Sequence, residues 1–221
     1  MSPVVIESGL SPFHVSLFDW WLHHRRTFSW RSPDVTAWEV LVSEMLLWQT
    51  KADVVETVWE PFWSRFPSPS ALATAAPSAI SEITTKLGLE ERSEYLRSSA
   101  VRIISEYGGE VPEERERLIS LMGIGGSSAS AVRAFYFLRD EAIVDHNVTK
   151  IISRMFALDK GDQSAVKAVA ERMLPLGWAR EWGYALLDLG ALVCKYRPAC
   201  SKCPMQGMCA TGIGKKRQEK G

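Results

Sequence analysis

All four cysteines of the chain fall between Cys194 and Cys209, within 16 positions. Thiols spread along a chain read as disulfide staples, whereas four gathered this closely can converge on one metal centre in a reducing compartment. Structural zinc usually takes two separated Cys-x2-Cys knuckles. The run Cys194-x5-Cys200-x2-Cys203-x5-Cys209 has one such knuckle. Four thiolates around a cubane fit that spacing better, so a 4Fe-4S cluster is expected there. A covalent staple for a small C-terminal layer is compatible with the same residues.

The rest of the composition narrows the class. With 221 residues and a hydrophobic fraction of 46%, the chain has enough apolar side chains for one sizeable core or two small ones. Lys and Arg total 26, as do Asp and Glu, so the net charge is zero. That excludes a histone-like wrapper and leaves polyanion binding to a local basic patch. No apolar run approaches the roughly 18 residues that cross a bilayer. The start, Met1 to Glu7, lacks a charged segment followed by an apolar one. These features predict a protein with no membrane association, placed in the cytoplasm.

Pro and Gly punctuate short segments of helical apolar period, and no alternating run is long enough to read as a strand. The fold class expected is all-α. A first helix carries Phe13, Leu17, Trp20, Trp21 and His24 along one stripe. Further helices are expected near residues 36–49, 51–66, 70–75, 77–85, 91–107, 114–121, from the following glycine turn to 138, and near 146–158, 163–173 and 180–193. The polar, cationic tail from Gly214 to Gly221 is expected to be loose.

Between two of these helices lies Leu121-Met122-Gly123-Ile124-Gly125-Gly126-Ser127-Ser128-Ala129. Glycine suits a positive φ or a close approach to a ligand, and the amides that open the second helix are unpaired. Such a turn can cradle a phosphate without reading a base, or it can be an ordinary αα-corner. Twenty residues after Gly125 stands Asp145, ahead of Val148, Ile151, Ile152 and Met155 at helical spacing. A lone Asp here would be an N-cap. In combination, Leu-x-Gly-x-Gly-x-x-x-Ala followed by Val-Asp at this distance resembles the helix-hairpin-helix DNA glycosylases of the endonuclease III superfamily. The resemblance runs from about Phe28 to Cys209.

That resemblance implies a two-lobed helical fold. Residues 30–138 would form a six-helix lobe with the hairpin at about 114–135. Residues 1–29 and 139–221 would form a second lobe carrying the 4Fe-4S loop at 194–209, with a DNA cleft between the lobes. It implies that Asp145 faces the sugar of an extruded nucleotide and supports loss of its base. Gly123, Gly125 and Ser127 would lie against the DNA backbone. The superfamily's cysteine loop usually has x6 as its first gap, so this chain is one residue shorter there. Lys195, Arg197 and Lys202 stand between the ligands, where they can offer cations to a phosphate.

Glu44, in Val42-Ser43-Glu44-Met45-Leu46-Leu47-Trp48-Gln49-Thr50, is a carboxylate within an apolar stretch, either turned to solvent on a narrow polar stripe with Ser43 or held for a task. The segment resembles the Glu-x-x-Leu-x-x-Thr helix of the MutY-type adenine glycosylases and the mismatch thymine glycosylases. In those branches the residues at Trp48 and Gln49 enter the gap left by an extruded base, although a tryptophan on an apolar helix also suits a core. Bifunctional members carry a lysine where this chain has Ser127, and a hydroxyl cannot form a Schiff base. A monofunctional glycosylase is therefore expected. Serine at that position is found in the adenine branch and by itself favours adenine. Three features lean the other way: Lys86 to Arg92 looks like the Gly-Leu-x-x-x-Arg of the thymine branch, Met45 to Ala52 resembles that branch's Ile-Leu-Leu-x-x-Thr-x-Ala, and the chain stops 12 residues after Cys209. Together these favour thymine or uracil opposite guanine, excised by a monomer from double-stranded DNA in the cytoplasm, at the nucleoid. An adenine glycosylase and a non-catalytic mismatch or lesion binder are the alternatives.

Overall fold

The structure is a computed structural model that describes residues 10–88, 91–159 and 161–218, with side chains to 214. Every regular element among the described residues is helical, as expected. The N-terminal stretch Met1 to Glu7, and Leu89 and Glu90 of the Lys86–Arg92 stretch, lie outside the described residues. The chain divides into two compact units, Met1–Arg26 with Leu138–Gly221, and Thr27–Phe137.

The contiguous unit holds α2 (Ala37–Leu47), α3 (Ala52–Arg65), α4 (Pro69–Thr74), α5 (Pro77–Thr84), α6 (Arg92–Tyr107), α7 (Arg115–Ile119) and α8 (Gly126–Phe135). Starts are marked by residues that satisfy orphan amides, as where the Ser68 hydroxyl accepts from Ala71 N at 3.2 Å. Stops coincide with conformations that end a helix, as at Gly108, left-handed at φ 65°. α6 is the spine: α4, α5 and α2 pack on it through Leu72, Ile80, Leu46, Leu96 and Ile103, all fully buried.

In the other unit α1 (Pro12–His24) packs on α11 (Ala179–Leu192), and α9 (His146–Phe156) packs on both α11 and α10 (Gln163–Arg172). Leu17, Phe18, Val148, Ile151, Ile152, Val166, Trp182, Leu186 and Leu189 form its core. The end of α1 is pinned by Asp188, whose side chain is fully buried. It accepts from Trp21 Nε1 at 3.0 Å, Arg26 N at 3.1 Å and Arg26 Nε at 2.8 Å. A buried carboxylate is tolerated when its lone pairs are met in this way.

The tail differs from its expectation. A further helix, α12 (Ala210–Gln218), takes in the first five residues of the stretch read as loose, Gly214 to Gln218. It begins against the cysteine loop, with Ile213 N donating to Cys209 O at 2.8 Å and Thr211 Oγ1 to Arg154 O at 3.0 Å. Tertiary contacts thus set a helix where composition favours disorder.

Candidate functional site

α2 starts with a reciprocal cap. Glu39 N donates to Thr36 Oγ1 at 3.2 Å, and Thr36 N donates to Glu39 Oε2 at 2.7 Å. Glu44 sits half-buried on this helix between Ser43 and Met45, which are 1% and 2% exposed. Ser43 therefore does not share a polar stripe with Glu44. It turns inward, and its hydroxyl donates to Val40 O at 2.8 Å, a local bond by which a helical serine tolerates burial.

The end of α2 is organised by a residue of α6. Arg92, 1% exposed, donates from Nη1 to Met45 O and Leu46 O at 2.5 and 2.6 Å. Its Nη2 donates to Trp48 O at 2.8 Å and Thr50 Oγ1 at 2.9 Å. Burial lowers this guanidinium to about 10, so it stays cationic at neutral pH. A cation on the carbonyl end of a helix meets the negative end of its dipole and the unpaired carbonyls of the last turn. In the segment it holds, Gln49 is in the left-handed region at φ 54°. A non-glycine residue there stores strain, which clusters at functional sites. Trp48 is 42% exposed, and its ring lies tilted against Tyr95 of α6 with centroids 5.9 Å apart.

The hairpin of α7 and α8 turns at Gly123 and Gly125. Gly123 has φ 84°, and a Cβ there would lie 3.1 Å from both Cβ and Cδ2 of Tyr95. Backbone and packing both require glycine. Gly125 is the N-cap of α8 in an extended conformation, and a Cβ on it would enter open space. Its bareness leaves the α8 N-terminus, without a side-chain cap, open to a ligand. Ser127 is half-buried in the first turn. Arg115 braces that turn, donating to Ser130 Oγ at 2.7 Å and Gly126 O at 3.1 Å.

Asp145 is in the other unit and caps α9, its Oδ1 accepting from Val148 N at 2.7 Å. Oδ2 accepts from Asn147 Nδ2 at 3.3 Å and lies 3.7 Å from His146 Nδ1. Lys150 Nζ in turn donates to Asn147 Oδ1 at 2.9 Å and Gly190 O at 3.3 Å. The side chain of Asp145 is 24% exposed. One oxygen is fixed by the cap, which aims the other, so the capping role orients the carboxylate instead of competing with a chemical role.

Cys194, Cys200, Cys203 and Cys209 line one small apolar pocket together with Ile151, Met155, Leu189, Val193 and Met205. Among the described residues no three His, Cys, Asp or Glu side chains are close enough to hold a single metal ion. Arg154 of α9 secures the shortened first gap. Its Nη1 donates to Cys194 Sγ at 3.3 Å and Lys195 O at 2.6 Å, and its Nη2 to Tyr196 O at 2.9 Å. Burial pushes the Cys203 thiol up to about 11, with the other three cysteines adding to the effect. Lys195, Arg197 and Lys202 are exposed on the same loop.

The structure thus brings Trp48 and Gly123 together through Tyr95, and gathers the four cysteines. Glu44 and Asp145 belong to different units. Arg92, Tyr95, Asn147 and Arg154 are the parts that sequence reasoning did not assign. Arg92 alone had a signal, its place after Gly88 in the stretch similar to the thymine branch.

Residues 42–175, which carry Glu44, the hairpin and Asp145, match the family model described as HhH-GPD superfamily base excision DNA repair protein. The chain belongs to this superfamily. As an HhH-GPD protein it is a DNA glycosylase, an enzyme of base excision repair. It is 38% identical over 201 residues to an adenine DNA glycosylase of Mycolicibacterium smegmatis, covering 89% of this chain and 68% of that protein. With a thymine-DNA glycosylase of Aeropyrum pernix it shares 32% identity over 207 residues, 87% of this chain and 91% of the other. The HhH-GPD fold superposes on a solved thermostable thymine-DNA glycosylase with a TM-score of 0.85 at 29% identity, covering 91% of this chain and 95% of that one.

Proposed function

We propose that this glycosylase hydrolyses the N-glycosidic bond of thymine or uracil mispaired with guanine in double-stranded DNA, and stops at the abasic site. The observation that carries the choice of base is the Arg92 clamp. It gives a structural reason for the Gly-Leu and Arg stretch similar to the thymine branch, because that arginine sets the end of the helix bearing Glu44 and the segment bearing Trp48.

As the bond from C1′ to the base breaks, its electron pair leaves with the base and positive charge grows on the sugar. Asp145, aimed by its cap and by Asn147, stabilises that charge and orients the water whose oxygen bonds to C1′. Glu44, half-buried on apolar α2, passes or shares a proton with the departing base. Ser127 at the opening of α8 offers no amine, and Lys150 is engaged with Asn147 and Gly190, so water is the nucleophile. Gly123, Gly125 and the α8 amides take a phosphate, Lys195, Arg197 and Lys202 add cations, and Trp48 and Gln49 enter the stack. Cys194, Cys200, Cys203 and Cys209 hold a 4Fe-4S cluster, which when bound braces this cationic loop.

A second reading, adenine excision, is favoured by Ser127 and by the 38% identity to an adenine DNA glycosylase. Single-turnover excision on duplexes holding G·T, G·U and each adenine mispair, followed by alkali, separates the two. Excision confined to adenine mispairs would overturn the first reading, and no excision with retained mismatch affinity would leave only a binder.

A further inference from the structure

One face of α6 touches both working turns of its unit. Arg92, Tyr95, Ser99 and Arg102 follow one another at spacings of three and four, and so share a stripe. Arg92 holds Met45 O, Leu46 O and Trp48 O. Ser99 Oγ donates to Met122 O at 3.0 Å, and Arg102 Nη1 to Ser120 O at 2.6 Å. Between these anchors stands Tyr95, with its ring against the half-exposed Trp48 and its side chain beside the place a Cβ on Gly123 would take. Gly123 is thus seated against a side chain that also backs an exposed aromatic ring.

We propose that Tyr95 is a positioning residue: it braces the exposed Trp48 ring and ties it to the Gly123 turn, so that α6 sets one spacing between the group entering the base stack and the amides holding a phosphate. This rests on the reading of Trp48 and the hairpin as DNA contacts. An exposed indole on a segment that ends a helix has rotamers available to it, and unstacking a duplex opposes its insertion. A ring held at its back cannot swing away from that load, so the opposition is met by packing already in place. The buried Arg92 guanidinium, bonded to Trp48 O and Thr50 Oγ1, keeps the backbone from relaxing in its stead.

The test uses the full chain and a G·T duplex with the fluorescent base 2-aminopurine beside the thymine, which brightens as the thymine leaves the stack. Tyr95→Leu keeps apolar bulk beside Gly123 without a ring, and Tyr95→Phe keeps the ring without the hydroxyl. For Tyr95→Leu, extrusion amplitude and single-turnover excision should fall roughly threefold to tenfold, the scale of one aromatic pair. Affinity for fully matched duplex should stay within about twofold, because phosphate contacts dominate it. Tyr95→Phe should match the natural chain in all three. The proposal fails if Tyr95→Leu extrudes normally, if it loses matched-duplex affinity in step with extrusion, or if Tyr95→Phe behaves like Tyr95→Leu. A natural chain that produces no extrusion on any mismatch would remove the DNA-contact reading itself, and the proposal with it.

Discussion

Replacing Asp145 by Asn separates the two things this carboxylate does. Asparagine caps helices about as well as aspartate, so Oδ1 can go on accepting from Val148 N and α9 keeps its start. What changes is the other atom. Asp145 Oδ2 accepts from Asn147 Nδ2 at 3.3 Å, and in the variant an amide NH2 faces another NH2 there. Asn147 cannot simply flip, because its Oδ1 holds Lys150 Nζ at 2.9 Å. One hydrogen bond is lost, so stability should fall by about 1 kcal/mol. Excision should fall by about a hundredfold or more, equivalent to about 2.7 kcal/mol or more of barrier, because the negative charge facing the sugar cation is gone. The effect on the barrier exceeds the effect on the fold, which is the signature to look for. Single-turnover excision with protein in excess measures the first, and denaturant unfolding the second. Mismatch affinity by titration should be retained. Unchanged excision in Asp145→Asn would refute the reasoning and return the residue to a cap alone.

The cysteine pocket should yield brown protein with about four irons per chain when purified without oxygen, and one tightly bound zinc with no iron would exclude that assignment. Borohydride added during turnover should trap no covalent DNA adduct; an efficient trap would move the nucleophile to a lysine, with Lys150 and Lys51 tested first. Arg92→Leu should lower unfolding free energy by about 3 kcal/mol, because Met45 O, Leu46 O and Trp48 O lose a shared buried donor; a loss below about 1 kcal/mol would mean that water replaces it. In metal-free protein, stability that depends on the Cys203 thiol should be intact below about 9 and be lost as pH rises through about 11, since the folded value is raised. A Cys203→Ser chain with the same melting profile across that window would contradict the assignment.

The helices were legible because their signals are local: apolar periods, proline and glycine breaks, and a cap such as Asp145 all act within a turn or two. The chemically important residue types were legible for the same reason, since Cys203, Asp145 and Gly123 announce themselves by type and spacing. What could not be read were roles made by distant partners. The acceptors of Arg92 on and just after α2 lie 42 to 47 residues away, and the carbonyls held by Arg154 lie about 40 away. Ser43 misled because a hydroxyl can be satisfied by its own helix. α12 misled because a polar, cationic composition hides contacts made elsewhere in the chain: Gly212, just ahead of that tail, is a point of close approach, where a Cβ would lie 2.6 Å from Gln206 O.

The unequal wiring of the two units has a consequence for how the chain is made. The unit Thr27–Phe137 is continuous, so everything it packs is available once Phe137 has been synthesised. The other joins the two ends of the chain. Trp21 waits 167 residues for Asp188, and Leu17 and Phe18 wait slightly longer for Leu186 and Leu189. At synthesis rates of about 5–20 residues per second, the apolar stripe of α1 is uncovered for roughly 8–33 s while the central unit folds behind it. Among the described helices α1 is made before all the others and is among the last to be buried, and on the ribosome it is a segment that a holding chaperone would meet.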